Sequence, residues 1–518
     1  MKTEDSFRPD ERQGIYINDD FANFYWNAPF EDMNEAGLRR QIDFYTKNGG
    51  VQAIIYNLNA NLAYFDSNVF QPVWTLVEYD DAAHRVYYRG EPVSDWNARM
   101  LWNIREMYRN VADPTAVRKA YCHEKGVEFF LSFRTNDMHT VFSGRRYAPE
   151  CLTLGDFWRG HEEYHRASYR RERSAAWANE ALDFGEEEVR TRALAMCAEY
   201  LAYDPDGFEI DFMRHLPMFR PGFDEFSIPL MNDFMRSVRR LADESEARSG
   251  HRVRIAVRVP SAPDDALACG LDAAYWAKNG LCDIVEPSPS FCSNESDIPL
   301  ELWRRMLPDE VVLSPYIELH NTSAQPMTEM FKTEPAIDRG FAATFYGKGA
   351  DTVSLYNHFP YGPDAFPRDA DMQELYAALG SREACENSHR RHIVTYRDNT
   401  YIEGRFYSSF MPYAVSPRQS WGTRICVGGG TAHRRARLII AFSDTEQLPE
   451  VRLNTFVLQA SSAPSVPFPT MPGCRDIPFL PVEFELNDGV LHDGMNLAEI
   501  YNPTEKDVLP LWMEIEIF

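Results

Sequence analysis

The stretch YDPDGFEIDFMRHLP, residues 203–217, places two carboxylates inside an apolar run. Glu209 and Asp211 alternate with Phe208, Ile210 and Phe212, which is the pattern of a β-strand with one apolar and one polar face. A buried charge without a partner costs several kcal/mol, so each carboxylate requires a cation or a hydrogen-bond donor nearby. The strand therefore predicts either a structural ion-pair network or the centre of a reaction.

Short apolar runs, each followed by a helix-like pattern, recur along the first part of the chain. They lie at 14–19, 51–59, 127–136, 207–215, 253–260, 282–288, 311–320 and 351–359. Eight strand-then-helix units predict an α/β fold, a (β/α)8 TIM barrel, over residues 1–385. Alternating runs with turns between them predict a C-terminal antiparallel β-sandwich domain over residues 386–518, and a packing role for it is favoured over ligand binding.

The strand parity predicts which side chains point into the barrel. The apolar residues should face the helices, so the polar residues of each strand should face the axis. Near the C-terminal rim, where such barrels carry their sites, the inward residues are Asn18, Asp20, Asn57, Arg134, Asn136, Asp211, Arg258, Glu286, Glu318, Tyr356 and His358. We expect Glu209 to pair with Arg254 one level below this rim.

Asp211 is the leading catalytic candidate because parity places it between Arg134 and Arg258. Two cations within about 4 to 6 Å favour the ionised carboxylate, which suits a nucleophile, a stabilising charge or a general base. Cleavage of a glycosidic bond also needs a carboxyl group that donates a proton. Glu318, in clean parity at the end of the seventh strand, is preferred for that role, and Glu286 is the alternative.

Loop residues beyond the strand ends supply candidate substrate contacts. His139 in RTNDMH and Asn136 offer hydrogen bonds to sugar hydroxyls, and Trp26 offers an aromatic face for a pyranose ring. The segment HEEYH, residues 161–165, matches the zinc pattern H-E-x-x-H, but no third ligand is evident. A loop over the mouth, with His161 touching substrate, is favoured over a zinc-dependent hydrolase built on His161 and His165.

The same segments resemble a known group. EEEVR (186–190) followed by YDPDGFEIDFMRHLP, with SFRTNDMH and FWRGHEEY upstream, is similar to the uncharacterised glycosyl-hydrolase-like barrels called family-10-like. The resemblance implies a carbohydrate-active (β/α)8 enzyme, with Asp211 on the aspartate of the motif and Arg214 on its arginine. DGFEIDFMRH also resembles the fourth strand of α-amylase-type barrels, but Glu209 replaces an arginine and Phe359 an aspartate, which argues against that clan.

Composition limits the remaining classes. The formal net charge of −25 argues against nucleic-acid and anionic-membrane partners. Nine scattered cysteines without a C-x-x-C pair indicate reduced thiols. A polar start without a leader predicts a cytoplasmic protein, and a chain whose leader had been removed would instead be periplasmic or secreted. No cofactor is implied, and the oligomeric state stays open.

The sequence thus predicts a hydrolase of carbohydrate metabolism. It is a glycosidase that cleaves a poly- or oligosaccharide with a pair of carboxylates at the barrel mouth, as in polysaccharide degradation. The alternative is a catalytically silent barrel that binds carbohydrate without cleaving it.

Overall fold

The computed structural model describes residues 14–138, 152–168, 176–223, 225–289, 293–321, 331–359, 361, 370–397, 411, 413–443, 447–461 and 479–518. The first sheet consists of parallel strands β1 (Ile15–Asp20), β2 (Val51–Asn57), β3 (Glu128–Arg134), β4 (Gly207–Asp211), β5 (Arg254–Pro260), β6 (Ile284–Ser288), β7 in two segments (Val312–Leu313 and Tyr316–Glu318) and β8 (Ser354–Tyr356). The first segment of β7 pairs with β6, the second pairs with β8, and β8 pairs with β1. The sheet is therefore closed, and the predicted eight-stranded barrel is confirmed.

Helices follow the strands along the described chain. They are α1 (Phe21–Asn27), α2 (Glu35–Thr46), α3 (Asp95–Asn110), α4 (Pro114–Glu124), α5 (Asp156–Gly160), α6 (Ala176–Glu180), α7 (Glu187–Leu201), α8 (Ile228–Ser249), α9 (Pro263–Ala268), α10 (Ala273–Lys278), α11 (Leu300–Met306), α12 (Pro335–Gly347), α13 (Ala370–Leu379) and α14 (Arg382–Asn387). Local sequence sets several of their starts. Asp113 accepts hydrogen bonds from the first-turn amides of α4, where Pro114 occupies the first helical position.

Shorter elements complete the first 385 residues. Three short antiparallel strands form a separate sheet: Glu78–Asp80, Arg85–Tyr88 and Glu91–Pro92. His320–Asn321 pairs with Phe331–Lys332 after β7. Single 3-10 turns occur at Phe30–Asp32, Val73–Leu76, Glu162–Tyr164 and Glu225–Ser227.

The barrel interior changes character from one end to the other. Its N-terminal end is filled by a compact group of buried, mostly apolar side chains: Tyr16, Ala53, Ile55, Phe130, Ala256, Ile284 and Val312. Gly207 on β4 makes room there, because a Cβ at this position would overlap the Phe130 ring. The polar side chains predicted to face inward lie above this apolar plug, so the fold concentrates them at the C-terminal end.

The C-terminal strands form two four-stranded antiparallel sheets. We label them β9 (Arg390–Ile393), β10 (Ser420–Cys426), β11 (Ala436–Ser443), β12 (Glu450–Leu453), β13 (Phe456–Val457), β14 (Phe479–Leu486), β15 (Met495–Tyr501) and β16 (Pro510–Ile517). One sheet has the order β9-β16-β11-β14 and the other β10-β15-β12-β13. A shared apolar core lies between them, as expected for the predicted sandwich.

Helix α12 connects the barrel to the first of these sheets. It lies against β9, and a Cβ at Gly340 would overlap the carbonyl oxygen of Arg391, so the close approach depends on a glycine. None of the described helices combines the length and the apolar content that a bilayer-spanning segment needs.

Candidate active site

Asp211 and Arg258 form an ion pair at the C-terminal ends of β4 and β5. The two residues are register partners, and Asp211 Oδ2 lies 3.1 Å from Arg258 Nη1. The other carboxylate oxygen of Asp211 accepts a hydrogen bond from the backbone amide of Met213 at 3.0 Å. The Arg258 Nε donates to the Ser288 hydroxyl at 3.0 Å. Both charged side chains are buried, so the pair is preorganised within the barrel rather than formed on its surface.

Arg134 occupies the predicted place beside Asp211 but has different partners. The two residues are register partners on β3 and β4. The Arg134 guanidinium lies 3.1 Å from both the Asp20 and the Asp137 carboxylates, and it donates to the Tyr356 hydroxyl at 3.0 Å. The expected pair of arginine partners for Asp211 is thus reduced to Arg258, because the nearer Asp20 and Asp137 carboxylates hold Arg134.

The Tyr356 ring is the centre of the positive cluster. The Arg258 guanidinium lies 3.9 Å from its centroid and the Arg214 guanidinium 5.7 Å from it, while Arg134 bonds the hydroxyl. Burial raises the pKa of Tyr356, and the three arginines oppose that increase. The phenol therefore serves as a neutral hydrogen-bonding and stacking surface for the cations around it.

Glu318 lies at the same register level as Tyr356, on the neighbouring strand. Its Oε1 accepts a hydrogen bond from the Asn357 side chain at 2.8 Å and lies 3.6 Å from the His320 ring. The Asn294 side-chain amide bonds both the backbone N–H and the backbone C=O of Glu318, at 2.7 and 2.6 Å. Asn294 therefore fixes the backbone of Glu318, and Asn357 holds its carboxyl group.

Glu209 lies below this level and does not pair with Arg254, so that prediction is wrong. Its carboxylate accepts hydrogen bonds from Asn18 at 2.8 Å and from the Tyr316 hydroxyl at 2.7 Å. Arg254 is the register partner of Gly207, two residues lower on β4, and it binds Glu128 there. A neutral amide and a phenol thus replace the expected cation.

Glu286 is a buried carboxyl group next to Glu209. Its Oε1 accepts a hydrogen bond from the Ser354 hydroxyl at 3.1 Å. Burial and the neighbouring Glu209 carboxylate raise the pKa of Glu286 well above its usual value. Glu286 is the register partner of Arg258, which is in turn the register partner of Asp211, and its carboxyl group holds a proton beside Ser354 and Glu209.

Three further inward residues are engaged with the protein itself. The Asn136 side chain donates to the Leu182 carbonyl at 2.9 Å and accepts from its amide at 3.0 Å, which ties the loop after β3 to the segment before α7. Asn57 donates to the Ser132 carbonyl at 3.4 Å. Burial, helped by His320, lowers the pKa of His358 to about 3, so this imidazole is neutral.

Trp26 and His161, which were predicted to contact substrate at the rim, make no contact with Asp211 or Arg258 among the described residues. Trp26 lies in α1 and stacks on Trp96, with ring centroids 6.0 Å apart. The His161 ring lies 2.8 Å from the Glu163 carboxylate and stacks on Tyr164. His139 lies outside the described residues.

The zinc alternative fails on local geometry. His161 precedes the 3-10 turn Glu162–Tyr164, so the two histidines of HEEYH do not share one face of an α-helix. His165 is buried, where it bonds the Trp158 carbonyl at 2.8 Å and lies 3.2 Å from Glu180. Within the described ranges, His, Cys, Asp and Glu side chains form no group of three or more that could hold a metal ion.

Two residues of the site were not identified from the sequence. Asn357 has the wrong strand parity, but its backbone adopts φ 63°, a left-handed conformation that Asn tolerates, and its amide bonds Glu318. Asn294 lies in the loop after β6, where no periodic pattern exists. The only sequence signal for Asn357 is that an asparagine stands next to a strand end. The sequence offers no such signal for Asn294.

Comparisons with known proteins add a likeness of fold. No family model matches the chain, and no curated protein matches it. Similar solved structures include a three-domain cyclomaltodextrin glucanotransferase (11% identity, 94% of this chain and 99% of that chain, TM-score 0.40) and an α-amylase from Geobacillus thermoleovorans (10%, 95% and 99%, 0.37). A cycloisomaltooligosaccharide glucanotransferase from Paenibacillus sp. is 8% identical over 96% of this chain, with a TM-score of 0.34, and this chain spans 57% of its length.

The class that the coordinates define is therefore a (β/α)8 barrel followed by an antiparallel β-sandwich, with a charged and buried C-terminal mouth. Identities and TM-scores this low carry no argument about the activity, which is argued from the site.

Proposed function

We propose that this protein is a glycoside hydrolase whose reacting carboxylate is Asp211. The observation that carries the proposal is the buried Asp211–Arg258 ion pair at the C-terminal mouth, the end at which barrels of this class place their chemistry. Arg258 pairs with the Asp211 carboxylate at 3.1 Å, and a carboxylate at this place stabilises the positive charge that develops on the sugar ring during glycosidic cleavage.

Glu318 is the proposed proton donor to the leaving oxygen. The register supports this role, because Glu318 is the register partner of Tyr356, and the Arg258 guanidinium lies over the Tyr356 ring. Glu286 is the alternative donor, because its raised pKa keeps it protonated and it is the register partner of Arg258. A separation of about 5 to 5.5 Å between the two reacting carboxyls corresponds to retention at the anomeric carbon, and about 6.5 to 9.5 Å corresponds to inversion.

The proposed substrate is a poly- or oligosaccharide bound across the mouth. Arg134, Arg214 and Tyr356 provide hydrogen-bond donors and a ring face, which match the hydroxyl groups and the apolar face of a sugar. Uronic and sulfated saccharides belong in the test panel because three arginines surround one ring.

The experiment measures the release of reducing ends from a panel of poly- and oligosaccharides. Asp211→Asn should fold but lose turnover by at least about 100-fold. Glu128→Gln is the matched control, since it removes a carboxylate that also pairs with a β5 arginine, at the opposite end of the barrel. An active Asp211→Asn protein would sink the proposal, and binding without cleavage by the native protein would favour the silent carbohydrate-binding barrel.

A further inference from the structure

The exposed face of the second sandwich sheet carries a cavity of about 220 Å³, separate from the barrel mouth. Its lining residues come from three neighbouring strands, β10, β15 and β12. They are Ser420, Glu450, Arg452, Glu499 and Tyr501. The cavity is smaller than the roughly 300–1,000 Å³ of sites for drug-sized ligands, so it suits a single ring.

Strand register explains how this cavity forms. Ser420, Tyr501 and Glu450 lie in one row across the sheet. In the next row Glu499 is the register partner of both Gly422 and Arg452. Gly422 has no side chain, so the Glu499 side chain lies over it, with Glu499 Cγ 3.2 Å from where a Cβ would stand, and the charged side chains of this row bound the cavity.

The same parity separates this face from the sandwich core. Residues that alternate with the lining, such as Thr423, Ile500 and Val451, are buried between the two sheets. The lining can therefore change without removing core contacts, and these polar side chains are not needed to fill the interior. Packing between the sheets does not explain why carboxylates, a guanidinium and a phenol converge here.

The donors and acceptors are prearranged. Arg452 Nη2 lies 2.6 Å from Glu450 Oε1, which holds the guanidinium over the sheet beside Glu499. Arg418 hydrogen-bonds Tyr501 and lies 2.7 Å from Glu505, so the phenol is held from the rim. Exposed apolar side chains border the face: Val457, Met495 and Leu497.

We infer that this face of the sandwich is a second binding site, whose ligand is one residue of a neutral polysaccharide. Sugar hydroxyls both donate and accept hydrogen bonds, which matches two carboxylates and a guanidinium, and the ring face packs on Tyr501. Two glutamates and one arginine give the lining one net negative charge, and the chain carries −25, so anionic saccharides are disfavoured. The site holds the substrate chain at a distance from the reacting carboxylates.

The test uses the full chain with Asp211→Asn, so that a bound saccharide is not consumed. Native gels cast with dextran, amylose, galactomannan or xylan, and with polygalacturonate as the anionic arm, report binding as slower migration. We expect at least one neutral polysaccharide to retard the protein. Adding Arg452→Ala and Glu499→Ala should weaken that affinity about 10-fold, the loss of roughly one interface hot spot.

The control adds Arg435→Ala and Glu485→Ala, which remove an exposed ion pair from the other sheet and should leave migration unchanged. Ser420→Trp fills the cavity by a different route and should also abolish retardation. The inference is overturned if no neutral polysaccharide retards the protein, or if both sets of cavity variants migrate like their parent. Cleavage by the native chain on the same panel tests the proposed function separately, because the gel variants all share the Asp211→Asn mouth and differ from one another only in the sandwich.

Discussion

Asp211 and Arg258 lie opposite each other on neighbouring strands, 3.1 Å apart at Oδ2 and Nη1, where the whole residues are 0% and 3% exposed. Arg258→Ala leaves this carboxylate buried with the Met213 amide as its remaining bond in the described structure. Breaking one side of a buried pair costs about 3–5 kcal/mol. We expect the free energy of unfolding, measured in urea, to fall by that amount.

A double variant distinguishes the charge from the packing. Asp211→Asn combined with Arg258→Ala removes the unpaired charge, so it should recover part of the stability that Arg258→Ala loses. If the double variant is less stable than Arg258→Ala by the full cost of the second change, the two side chains do not act as a pair.

Glu318→Gln tests which carboxyl group donates the proton. A general acid matters most when the leaving group is poor, so Glu318→Gln should slow cleavage of the natural saccharide by about 100-fold or more. Aryl glycosides with acidic phenols need little protonation and should be cleaved at a rate within a few-fold of the native protein. Glu286→Gln is the matched comparison, and the same selective loss in that variant, but not in Glu318→Gln, would reassign the proton donor.

Glu286→Gln should change how stability depends on pH. The pKa of Glu286 in the folded protein lies well above 4.5, the usual value for a glutamate. At a pH between these two pKa values, Glu286 has lost its proton in the unfolded chain but keeps it in the folded chain. Stability contributed by Glu286 is thus present below pH 4.5 and declines as the pH rises. Glutamine cannot ionise, and it preserves the acceptor for Ser354.

The variant should therefore gain stability relative to the native protein as the pH rises above 4.5. Urea unfolding at several pH values between 4.5 and 7 measures the difference. A constant gap over this range would mean that Glu286 ionises normally in the folded protein.

The fold could be predicted because strand and helix patterns are local. Alternation alone identified Phe208, Ile210 and Phe212 as the apolar face of β4, and all three are fully buried. It also placed Asp211 on the inner face beside Arg258. These assignments need only the two-residue period of a strand and the three- to four-residue period of a helix.

The partners of the inner side chains could not be predicted in the same way. Parity says which residues face inward but not how far one strand is shifted along the next. That stagger places Arg254 beside Gly207 and leaves Glu209 to Asn18 and Tyr316. Asn357 reaches Glu318 through a left-handed backbone conformation, which no periodic pattern encodes.

His358 gives the last prediction, for the acid side of the stability curve. Burial lowers the pKa of His358 to about 3, from 6.5 in an exposed histidine. Between these values the unfolded chain takes up a proton that the folded chain does not, so its contribution is fully present above pH 6.5 and declines as the pH falls. The loss is about 1 kcal/mol for each pH unit.

His358→Gln removes this proton uptake from the unfolded chain. The variant should begin from a lower stability at pH 7, because a buried side chain is replaced. Its free energy of unfolding should nevertheless fall less steeply between pH 6.5 and 4 than that of the native protein. His161→Gln is the comparison, because its ring is 41% exposed and the substitution removes a histidine without changing the buried site. Urea unfolding at intervals across this range gives the slopes, and equal slopes for His358→Gln and the native chain would show that His358 is protonated in the folded barrel.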